Sequence, residues 1–495
     1  MPETRKSAAG AQVAEKAAEP NLLDQIVQEG RFTDASSRER GRDLIKEFVA
    51  QVLEGQMTLG RDADQMISKR IADIDRLISL QLNEVMHHAS FQKLESSWRG
   101  LKYLLDQSET GVMLKIRILN VSKTELFRDL ERAPEFDQSA LFKKVYEEEY
   151  GQFGGEPIAT LVGDYEFSKH PQDVELLEKI SQVAAAAHAP FLSAASSELL
   201  NMPSFTALDQ PRDIAKIFDS TEYAKWKGFR ESEDSRYVCL TCPRILMRLP
   251  YGRDTRPVEG FNYDEGVDGT EHSKYLWGNA AYALAARITQ AFSLYGWCVA
   301  IRGVEGGGLV DGLPAHNFRT DKGDVALKCP TEIAITDRRE KEIADQGLVP
   351  LVHCKGTDKA AFFSIQSCNK PKLYDSDSAT ANARISAQLP YMMATSRFAH
   401  YLKAMMRDKI GGFMSREDCW RYLNRWMGQY VTQDDKASQM TKAKFPLREA
   451  RVDVEDVKGK PGVYRAVAYL RPHFQLDELH VSLRLVAELP EAVKK

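Results

Sequence analysis

Two side-chain periodicities alternate along this chain, and their alternation limits the folds it can adopt. From Met66 onward, apolar residues recur at steps of three and four, the spacing of one face of an α-helix. Two successive helices are predicted, the first carrying Ile67, Ile71, Ile74, Ile78, Leu82 and Val85 and the second carrying Phe91, Leu94, Trp98, Leu101 and Leu105. Residues 112–118 then switch to a period of two, which predicts a half-buried strand. This combination indicates an α/β (α+β mixed) fold.

The same alternation continues as far as residue 365. Further helices are predicted near 123–132, 141–150, 173–187, 277–295 and 338–346. Further strands are predicted near 158–162, 298–301, 332–336, 349–353 and 361–365.

The C-terminal third has a different order of elements. Two helices at 397–409 and 416–430 precede a polar loop, and strands follow at 450–457, 463–470 and 479–489. In the last strand, polar residues alternate with apolar ones. If this strand lies at a sheet edge, it offers unpaired backbone groups to a neighbouring chain.

The N-terminus carries one short apolar island. Residues 1–20 have no aromatic residue and almost no large apolar one, which predicts disorder. Residues 21–30 place Leu22, Leu23, Ile26 and Val27 on one face of a helix, with Asn21 as a suitable N-cap. The pattern alone leaves two interpretations open: a docking peptide for a partner groove, or a helix that packs on its own domain.

Charge and cysteine usage restrict the class of protein. Lys and Arg total 67 against 71 Asp and Glu, a balance that argues against a polybasic nucleic-acid binder. The seven cysteines are odd in number, which favours reduced thiols over a secreted disulfide framework. The N-terminus lacks the apolar core of a signal peptide, and the longest uncharged stretch, 180–197, is a poor membrane span. We therefore expect a soluble intracellular protein.

Three groups of residues suggest chemistry at first sight. Cys239 and Cys242 have the spacing of half a zinc site, but no second ligand pair is at hand, and the surrounding apolar residues favour a strand with buried thiols. His87 and His88 lack the spacing and the glutamate of a zinc-protease helix, so a favourable contact with a helix C-terminus is expected. The glycines at 306–308 are followed by no Lys-Ser/Thr pair, which favours a close-packed turn. No catalytic residue, metal or cofactor is predicted, and an enzyme using Cys239 and Cys242 remains the alternative of another class.

Short segments spread over nearly the whole chain from about residue 21 form an ordered set. They are QLNEVMHH (81–88), LESSWRGL (94–101), EYGQFGG (149–155), SRY (235–237), PRILMRLPYG (243–252), WGNAA (277–281), GVEGGG (303–308), KCPTE (328–332), LPY (389–391), RFAHYL (397–402) and LRPHFQL (470–476). Each segment alone is weak, but the set in this order is specific. It resembles the large subunit of the contractile sheath of bacterial type VI secretion systems, the TssC/VipB family.

The resemblance implies a non-enzymatic structural subunit with a tail-sheath-like fold whose terminal strands are shared between subunits. It implies heterodimers with a small sheath subunit of TssB/VipA type, which polymerise in helical order around an inner tube of Hcp-type rings and contract to propel it. An AAA+ recycling ATPase of ClpV type and baseplate components are the further partners implied, and the location is the bacterial cytoplasm. A phage-like tail sheath protein is the alternative within the same architecture.

The resemblance also assigns roles to residues and ranges. It places the ATPase-docking helix at Leu22, Leu23, Ile26 and Val27, and the inter-subunit strand mesh at Val463, Tyr464, Ala466, Ala468, Val481, Leu483 and Leu485. For the inner tube, the candidate contact is the helix with Arg416, Glu417, Asp418, Arg421 and Arg425, for which an ordinary solvated face is an equal alternative. The expected domains are a tail with docking helix and linker (1–60), a region contacting the small subunit (61–200), a middle sheath domain (201–375) and a C-terminal sheath domain (376–495).

Overall fold

The computed structural model describes residues 35–53, 63–210, 212–320, 322–459 and 462–475. Helices and strands alternate over these residues, so the prediction of a mixed α/β fold is confirmed. Packing divides the chain into two compact units, Met1–Ile78 and Ser79–Lys495.

The helices follow the predicted apolar periodicity, and several begin at a serine or histidine cap. The α-helices are α1 (Ala35–Leu53), α2 (Ala63–Met86), α3 (Ala89–Asp106), α4 (Lys123–Arg132), α5 (Ala140–Phe142), α6 (Pro171–Ala187), α7 (Ile214–Asp219), α8 (Ala224–Glu231), α9 (Ala281–Tyr295), α10 (Asp337–Asp345), α11 (Asp377–Ser386), α12 (Leu389–Asp408), α13 (Arg416–Gly428) and α14 (Gln439–Lys444). Helix α5 runs on as a π-helix over Lys143–Gly151. Ser122 and Ser415 form capping boxes at the starts of α4 and α13, which satisfy amides that the first helical turn leaves unpaired.

The strands form one four-stranded sheet and several smaller ones. They are β1 (Leu161–Phe167), β2 (Phe191–Ala195), β3 (Val238–Cys242), β4 (Ile245–Leu246), β5 (Trp277–Gly278), β6 (Leu309–Val310), β7 (Asn317–Arg319), β8 (Val325–Leu327), β9 (Val349–Pro350), β10 (Val352–His353), β11 (Ala360–Ala361), β12 (Leu447–Asp456) and β13 (Tyr464–Pro472). The four-stranded sheet has the order β1-β2-β3-β9 and is parallel throughout. Its strands come from both sides of residue 200, and the predicted domain limits stay predictions.

The four-stranded sheet is buried on both faces. On β3, Val238 and Leu240 join the core that contains helix α6, whereas Cys239 joins the opposite core with the alanines of α9. Adjacent strand residues point to opposite faces, so a continuous apolar run such as β3 fits a sheet covered by helices on both sides. The Ala-rich sequence of α9 allows that helix to lie close to the sheet.

A third core joins the C-terminal helices to an antiparallel ribbon. Trp297 stacks on Phe398 of α12 with ring centroids 4.2 Å apart. Leu423 of α13 lies in the same core as Val452 of β12, and both are fully buried. Strands β12 and β13 pair over their whole length, from Leu447 opposite Pro472 to Asp456 opposite Tyr464.

Three predicted strands are wrong. Residues 112–118 begin in a bend and pair with no strand in the described chain, and their cations Lys115 and Arg117 instead form ion pairs with Glu156 and Glu149. Residues 298–301 and 332–336 include buried apolar side chains, as a strand would. In the described chain, however, neither segment forms a ladder of backbone hydrogen bonds with a neighbouring strand. Ile301 N, for example, donates to Val299 O at 3.1 Å within its own segment. Apolar content alone therefore could not separate a buried loop from a buried strand.

Candidate interaction surfaces

Helix α2 carries an exposed apolar stripe. Ile67, Ile71, Ile74, Ile78 and Val85 follow one another at steps of three, four or seven, and each is between 42 and 53% exposed. This spacing repeats on one side of a helix, like the seam positions of a coiled coil. Isolated exposed apolar residues are ordinary, but a continuous row indicates a surface that another helix covers.

Further exposed apolar side chains lie on α3 and in the segment that follows it. Trp98 is 65% exposed, and Val112 and Met113, in the bend that Gly111 N closes by donating to Leu114 O, are 88% and 78% exposed. Within the described residues, the amides of 112–121 donate no backbone hydrogen bond. The carbonyls of Leu114 and Val121 accept from Gly111 N and the Tyr165 hydroxyl, but the amides of the segment, beside large apolar side chains, are donors for an added strand.

A buried ionic cluster attaches α3, and the residue that follows α2, to the loop at 248–265. The carboxylate of Glu265, with no exposed side-chain area, accepts two hydrogen bonds from Arg248, at 2.6 and 2.9 Å. Arg248 Nε also donates to Glu95 of α3 at 2.7 Å, and His87 Nε2 lies 3.2 Å from Glu265 Oε1. The backbone amide of Tyr251 completes the shell around Glu265 at 2.8 Å.

The electrostatics of this cluster favour its charged form. Burial alone raises the pKa of Glu95, but hydrogen bonds and charge from Arg248 and Arg99 outweigh it and leave that pKa below its ordinary value. Sequence reasoning missed the cluster. Glu95 and Arg248 both stand in segments that carry the family resemblance, and that coincidence is the one signal that could have indicated a pair.

A second buried cluster surrounds Glu332, whose side chain is fully buried. Arg244 donates to both carboxylate oxygens, at 2.9 and 3.1 Å, and His272 Nε2 lies 3.1 Å from Oε1. His272 also stacks on Trp277 with centroids 4.7 Å apart. Burial raises the pKa of Glu332, but His272 and Arg244 outweigh it and lower the pKa overall. Both clusters hold together segments that are distant in sequence.

The predicted strand-mesh residues lie partly on the described ribbon. Tyr464, Ala466 and Ala468 belong to β13 and lie opposite Asp456, Val454 and Val452 of β12. Val463 directly precedes β13 and is exposed. In the described chain this sheet has two strands, so the outer edge of β13 carries no partner strand. The other mesh residues, Val481, Leu483 and Leu485, lie outside the described residues, and the mesh stays a prediction.

The predicted tube-contact residues occupy the exposed side of α13. Arg416, Glu417, Asp418, Arg421 and Arg425 are all exposed, while the other side of the helix packs on β12. Two of the cations have weak intramolecular partners: Arg416 lies 3.9 Å from Asp456, and Arg421 lies 3.3 Å from Asp418. Exposed pairs at these distances contribute little to stability, so the charges are free to pair elsewhere. Their contact with a tube stays a prediction.

The four residues predicted to dock an ATPase, namely Leu22, Leu23, Ile26 and Val27, lie outside the described residues.

The candidate chemical groups do not assemble into a site. Cys239 and Cys242 lie on the predicted strand but face opposite cores, so they cannot hold one metal ion together. Burial raises the pKa of Cys242 to about 12, which keeps the thiol protonated and inert. Among the described residues, no group of three or more His, Cys, Asp or Glu side chains is arranged to hold a metal ion.

The paired histidines and the glycine turn have structural roles. His87, directly beyond the C-terminus of α2, pairs with Glu265, and His88 caps α3, accepting from Ser90 N at 3.4 Å. The contact of these histidines with a helix C-terminus stays a prediction. The close-packed turn at 306–308 is confirmed: Gly307 has a φ of +89°, and a Cβ there would lie 2.3 Å from Ala300 O. No helix in the described part of the chain combines the length and apolar character needed to cross a membrane.

Comparison with known proteins identifies relatives over almost the full length. Residues 68–369 match the family model described as EvpB/VC_A0108, tail sheath N-terminal domain, and residues 378–489 match the tail sheath gpW/gp25-like domain of the same description. The chain is 52% identical over 470 residues to the type VI secretion system sheath protein TssC1 of Pseudomonas aeruginosa strain PAO1, with 94% of each chain covered.

Two solved assemblies show a weaker likeness. The first is the baseplate of the anti-feeding prophage, at a TM-score of 0.34 and 9% identity over 63% of this chain and 66% of that one. The second is the contracted sheath complex of the extracellular contractile injection system PVC, at a TM-score of 0.34 and 7% identity over 63% of this chain and 68% of that one. Likeness at this level does not establish a shared fold.

Proposed function

The chain belongs to the EvpB/VC_A0108 tail sheath family and is a structural sheath subunit of a type VI secretion system, and we propose that it is the large subunit of a two-component contractile sheath. In this proposal it pairs with a small TssB/VipA-type subunit, and the pairs polymerise around an Hcp-type inner tube in the bacterial cytoplasm. The match to TssC1 over 94% of both chains carries the proposal and favours it over a phage-like tail sheath protein.

The exposed stripe on α2 supports a helical partner. A row of isoleucines at coiled-coil spacing, each at least 42% exposed, is a seam that lacks its second helix. We assign this seam, within the region 61–200, to a helix of the small subunit. The amides of 112–121, which donate no backbone hydrogen bond in the described chain, support a strand contribution from the same partner.

The free edge of β13 supports linkage between neighbouring subunits. Val463, Tyr464, Ala466 and Ala468 line a ribbon whose outer edge has no described partner, and the apolar alternation at Val481, Leu483 and Leu485 fits an added strand. Strands shared in this way hold subunits together while their packing changes.

The charged side of α13 is the proposed contact with the inner tube. Arg416, Glu417, Asp418, Arg421 and Arg425 present both signs of charge on an exposed surface, which suits a contact that is specific but releasable. Contraction then proceeds by repacking of many identical interfaces from a metastable arrangement, and this chain performs no catalytic step. The N-terminal helix around Leu22 is the proposed grip of a ClpV-type ATPase, and baseplate components anchor the sheath.

Co-expression with the small sheath subunit tests the assembly. Electron microscopy is expected to show hollow tubules from the two chains together and none from this chain alone. Tubules from this chain alone would instead support a one-component, phage-like sheath, and discrete particles in both samples would contradict the proposal.

Charge placed on the α2 stripe tests the interface itself. Ile71→Asp with Ile78→Asp should abolish co-purification of the small subunit, because burying two carboxylates in an apolar seam is strongly unfavourable. The matched control is Lys69→Asp with Arg76→Asp, two exposed positions about half a turn away from the stripe at 3.6 residues per turn. The control should retain the partner. Loss of the partner in both variants, or in neither, would refute the assignment of this stripe.

A further inference from the structure

One side of helix α12 lies against the part of the chain that matches the N-terminal sheath domain. The helix itself belongs to the C-terminal domain match, and His400, Lys403 and Arg407 share one side of it because they recur at steps of three and four. These three residues contact the end of α6 and the π-helix, which belong to the N-terminal domain match. The opposite side of α12, with Phe398, packs in the third core. We call the contact made by His400, Lys403 and Arg407 the α12 seam.

The α12 seam joins cations to neutral groups. Lys403 Nζ donates to the hydroxyl of Tyr146 at 3.1 Å and lies 3.6 Å from the ring centroid of Tyr150. Arg407 donates to the backbone carbonyls of Tyr150 and Gln152. Within the described residues, the partners of these two cations are a hydroxyl, aromatic rings and carbonyls, and none is a carboxylate. The seam is therefore held by cation–π contacts and hydrogen bonds from charged donors.

Both ring nitrogens of His400 have a partner that requires the neutral ring. Nε2 lies 2.8 Å from the carbonyl oxygen of Ala187 at the end of α6, and a carbonyl only accepts, so Nε2 carries the hydrogen. Nδ1 lies 3.2 Å from a terminal nitrogen of the Arg397 guanidinium, which only donates, so Nδ1 supplies a lone pair. His400 is 2% exposed, so water cannot replace either partner. A proton added at Nδ1 would face a donor and break the contact with Arg397.

A second imidazole lies beside the first. The ring centroids of His188 and His400 are 6.2 Å apart, and Tyr150 makes edge contacts with both rings, at 6.1 and 5.0 Å. His188 directly follows α6 and has a left-handed backbone, with a φ of +51°. Its Nδ1 lies 3.1 Å from the hydroxyl of Tyr237, which directly precedes β3. Two histidines therefore line the place where α12, α6 and the π-helix meet.

The electrostatics of this place favour neutral rings. Burial is the main cause that lowers the pKa of both histidines, to about 4 for His400, and the charge of Lys403 lowers both further. Arg397 also lowers the pKa of His400, which the hydrogen bond to the α6 carbonyl only partly offsets. Asp234, on the turn before β3, acts on the hydroxyl of Tyr237 together with the opposite charge of Arg236. The titratable groups of the described chain around the two rings are Arg397 and Lys403 on α12, Tyr146 and Tyr150 on the π-helix, and Asp234, Arg236 and Tyr237 on the turn.

We propose that the α12 seam is a pH-sensitive hinge between the two sheath domains, closed while His400 and His188 are neutral and opened by their protonation. Opening exposes the rings to water, where an ordinary histidine takes up a proton near about pH 6.5. The closed seam is therefore favoured above that pH and is lost progressively as the pH falls toward the value of about 4 that burial gives His400. The third core moves with α12, and the device acts within one chain, independently of sheath assembly.

Hydrogen–deuterium exchange of the purified full chain, measured by peptide mass spectrometry, tests the hinge. Between about pH 7.5 and 5, the rise in the pKa of His400 on opening, from about 4 to about 6.5, should multiply the open population by about thirtyfold. After correction for the intrinsic exchange rate at each pH, the protection of residues 397–408 should fall by at least that factor. Helix α9, buried in a separate core, is the internal reference and should keep its protection.

Replacing both histidines should remove this pH dependence. In His400→Gln with His188→Gln, neither side chain titrates, and glutamine at 400 still offers a donor for the carbonyl and an acceptor for the guanidinium. The protection of 397–408 should then be nearly the same at both pH values. The matched control is His316→Gln, which removes another buried histidine, 5% exposed, from a different part of the fold. The control should show the wild-type fall in protection at 397–408.

Lys403→Gln separates titration of the rings from ordinary weakening of the seam. The variant loses a cation that lowers the pKa of both histidines but keeps the rings in place. Protection should be lower already at the higher pH, because the contacts with Tyr146 and Tyr150 are weakened, whereas the fall on acidification should be smaller than in the wild type. Equal protection of 397–408 at both pH values in the wild type, an undiminished fall in the double histidine variant, or an equal fall in α9 would overturn the proposal.

Discussion

Removing Arg248 should destabilise the protein far more than removing an ordinary surface arginine. Arg248→Met keeps most of the aliphatic chain but deletes the guanidinium that donates two hydrogen bonds to Glu265 and two to Glu95. The side chains of Arg248 and Glu265 are 3% and 0% exposed, so water cannot replace the lost partner. Breaking a buried ion pair by removing one partner costs about 3–5 kcal/mol. We expect Arg248→Met to lower the free energy of unfolding by that amount.

The assay is urea unfolding of the full chain followed by tryptophan fluorescence, with the wild type measured in the same buffer. The matched control is Arg338→Met on α10, which removes an arginine that is 87% exposed from its pair with Glu342. An exposed i, i+4 pair contributes about 0.3–0.5 kcal/mol. The control should therefore have nearly the same free energy of unfolding as the wild type.

A second variant isolates the unpaired charge as the cause. Arg248→Met with Glu265→Gln removes the stranded carboxylate but leaves an acceptor for the amide of Tyr251, which donates to Glu265 at 2.8 Å. This double variant should be more stable than Arg248→Met alone. If Arg248→Met costs no more than Arg338→Met, or if the added Glu265→Gln lowers stability further, the reasoning about burial is wrong.

Two further predictions concern a buried histidine and the N-terminal island. Burial lowers the pKa of His400 to about 4, and its Nε2 donates to Ala187 O at 2.8 Å, so the folded state holds it neutral. The unfolded chain takes up the proton as pH falls below about 6.5. Relative to His400→Gln, the free energy of unfolding of the wild type should therefore fall by about 3 kcal/mol between pH 6.5 and 4, measured by urea unfolding across that range. Parallel pH profiles of the two proteins would contradict this prediction. Leu22→Ala with Leu23→Ala should weaken binding of the recycling ATPase in a titration while leaving tubule formation intact, and unchanged affinity would count against the docking helix.

Periodicity predicted the elements that depend on local sequence. Helix α4 was expected near 123–132 and spans Lys123–Arg132, because its apolar spacing and the capping box at Ser122 lie within one short segment. The same spacing predicted α2, although it could not say whether Ile71 faces a core or solvent. A helix pattern records one apolar side but not what covers that side.

Local sequence patterns did not predict which distant segments of the chain contact one another. The alternating residues 112–118 have the composition of a strand, but a strand exists only where a neighbour supplies its hydrogen bonds, and in the described chain none does. Arg248 and Glu95 stand 153 positions apart, so nothing local to either predicted their contact.

The burial of the cluster around Glu265 has a consequence for handling the assembled protein. Dissolved ions screen exposed charge pairs over a distance of about 8 Å at physiological ionic strength, but they act much less on charges sealed inside a fold. Concentrated salt should therefore loosen contacts formed by surface charges such as those on α13 long before it loosens the attachment of α3 to the loop at 248–265. Salt that weakens the proposed contact between α13 and an inner tube should therefore leave the fold of the subunit intact.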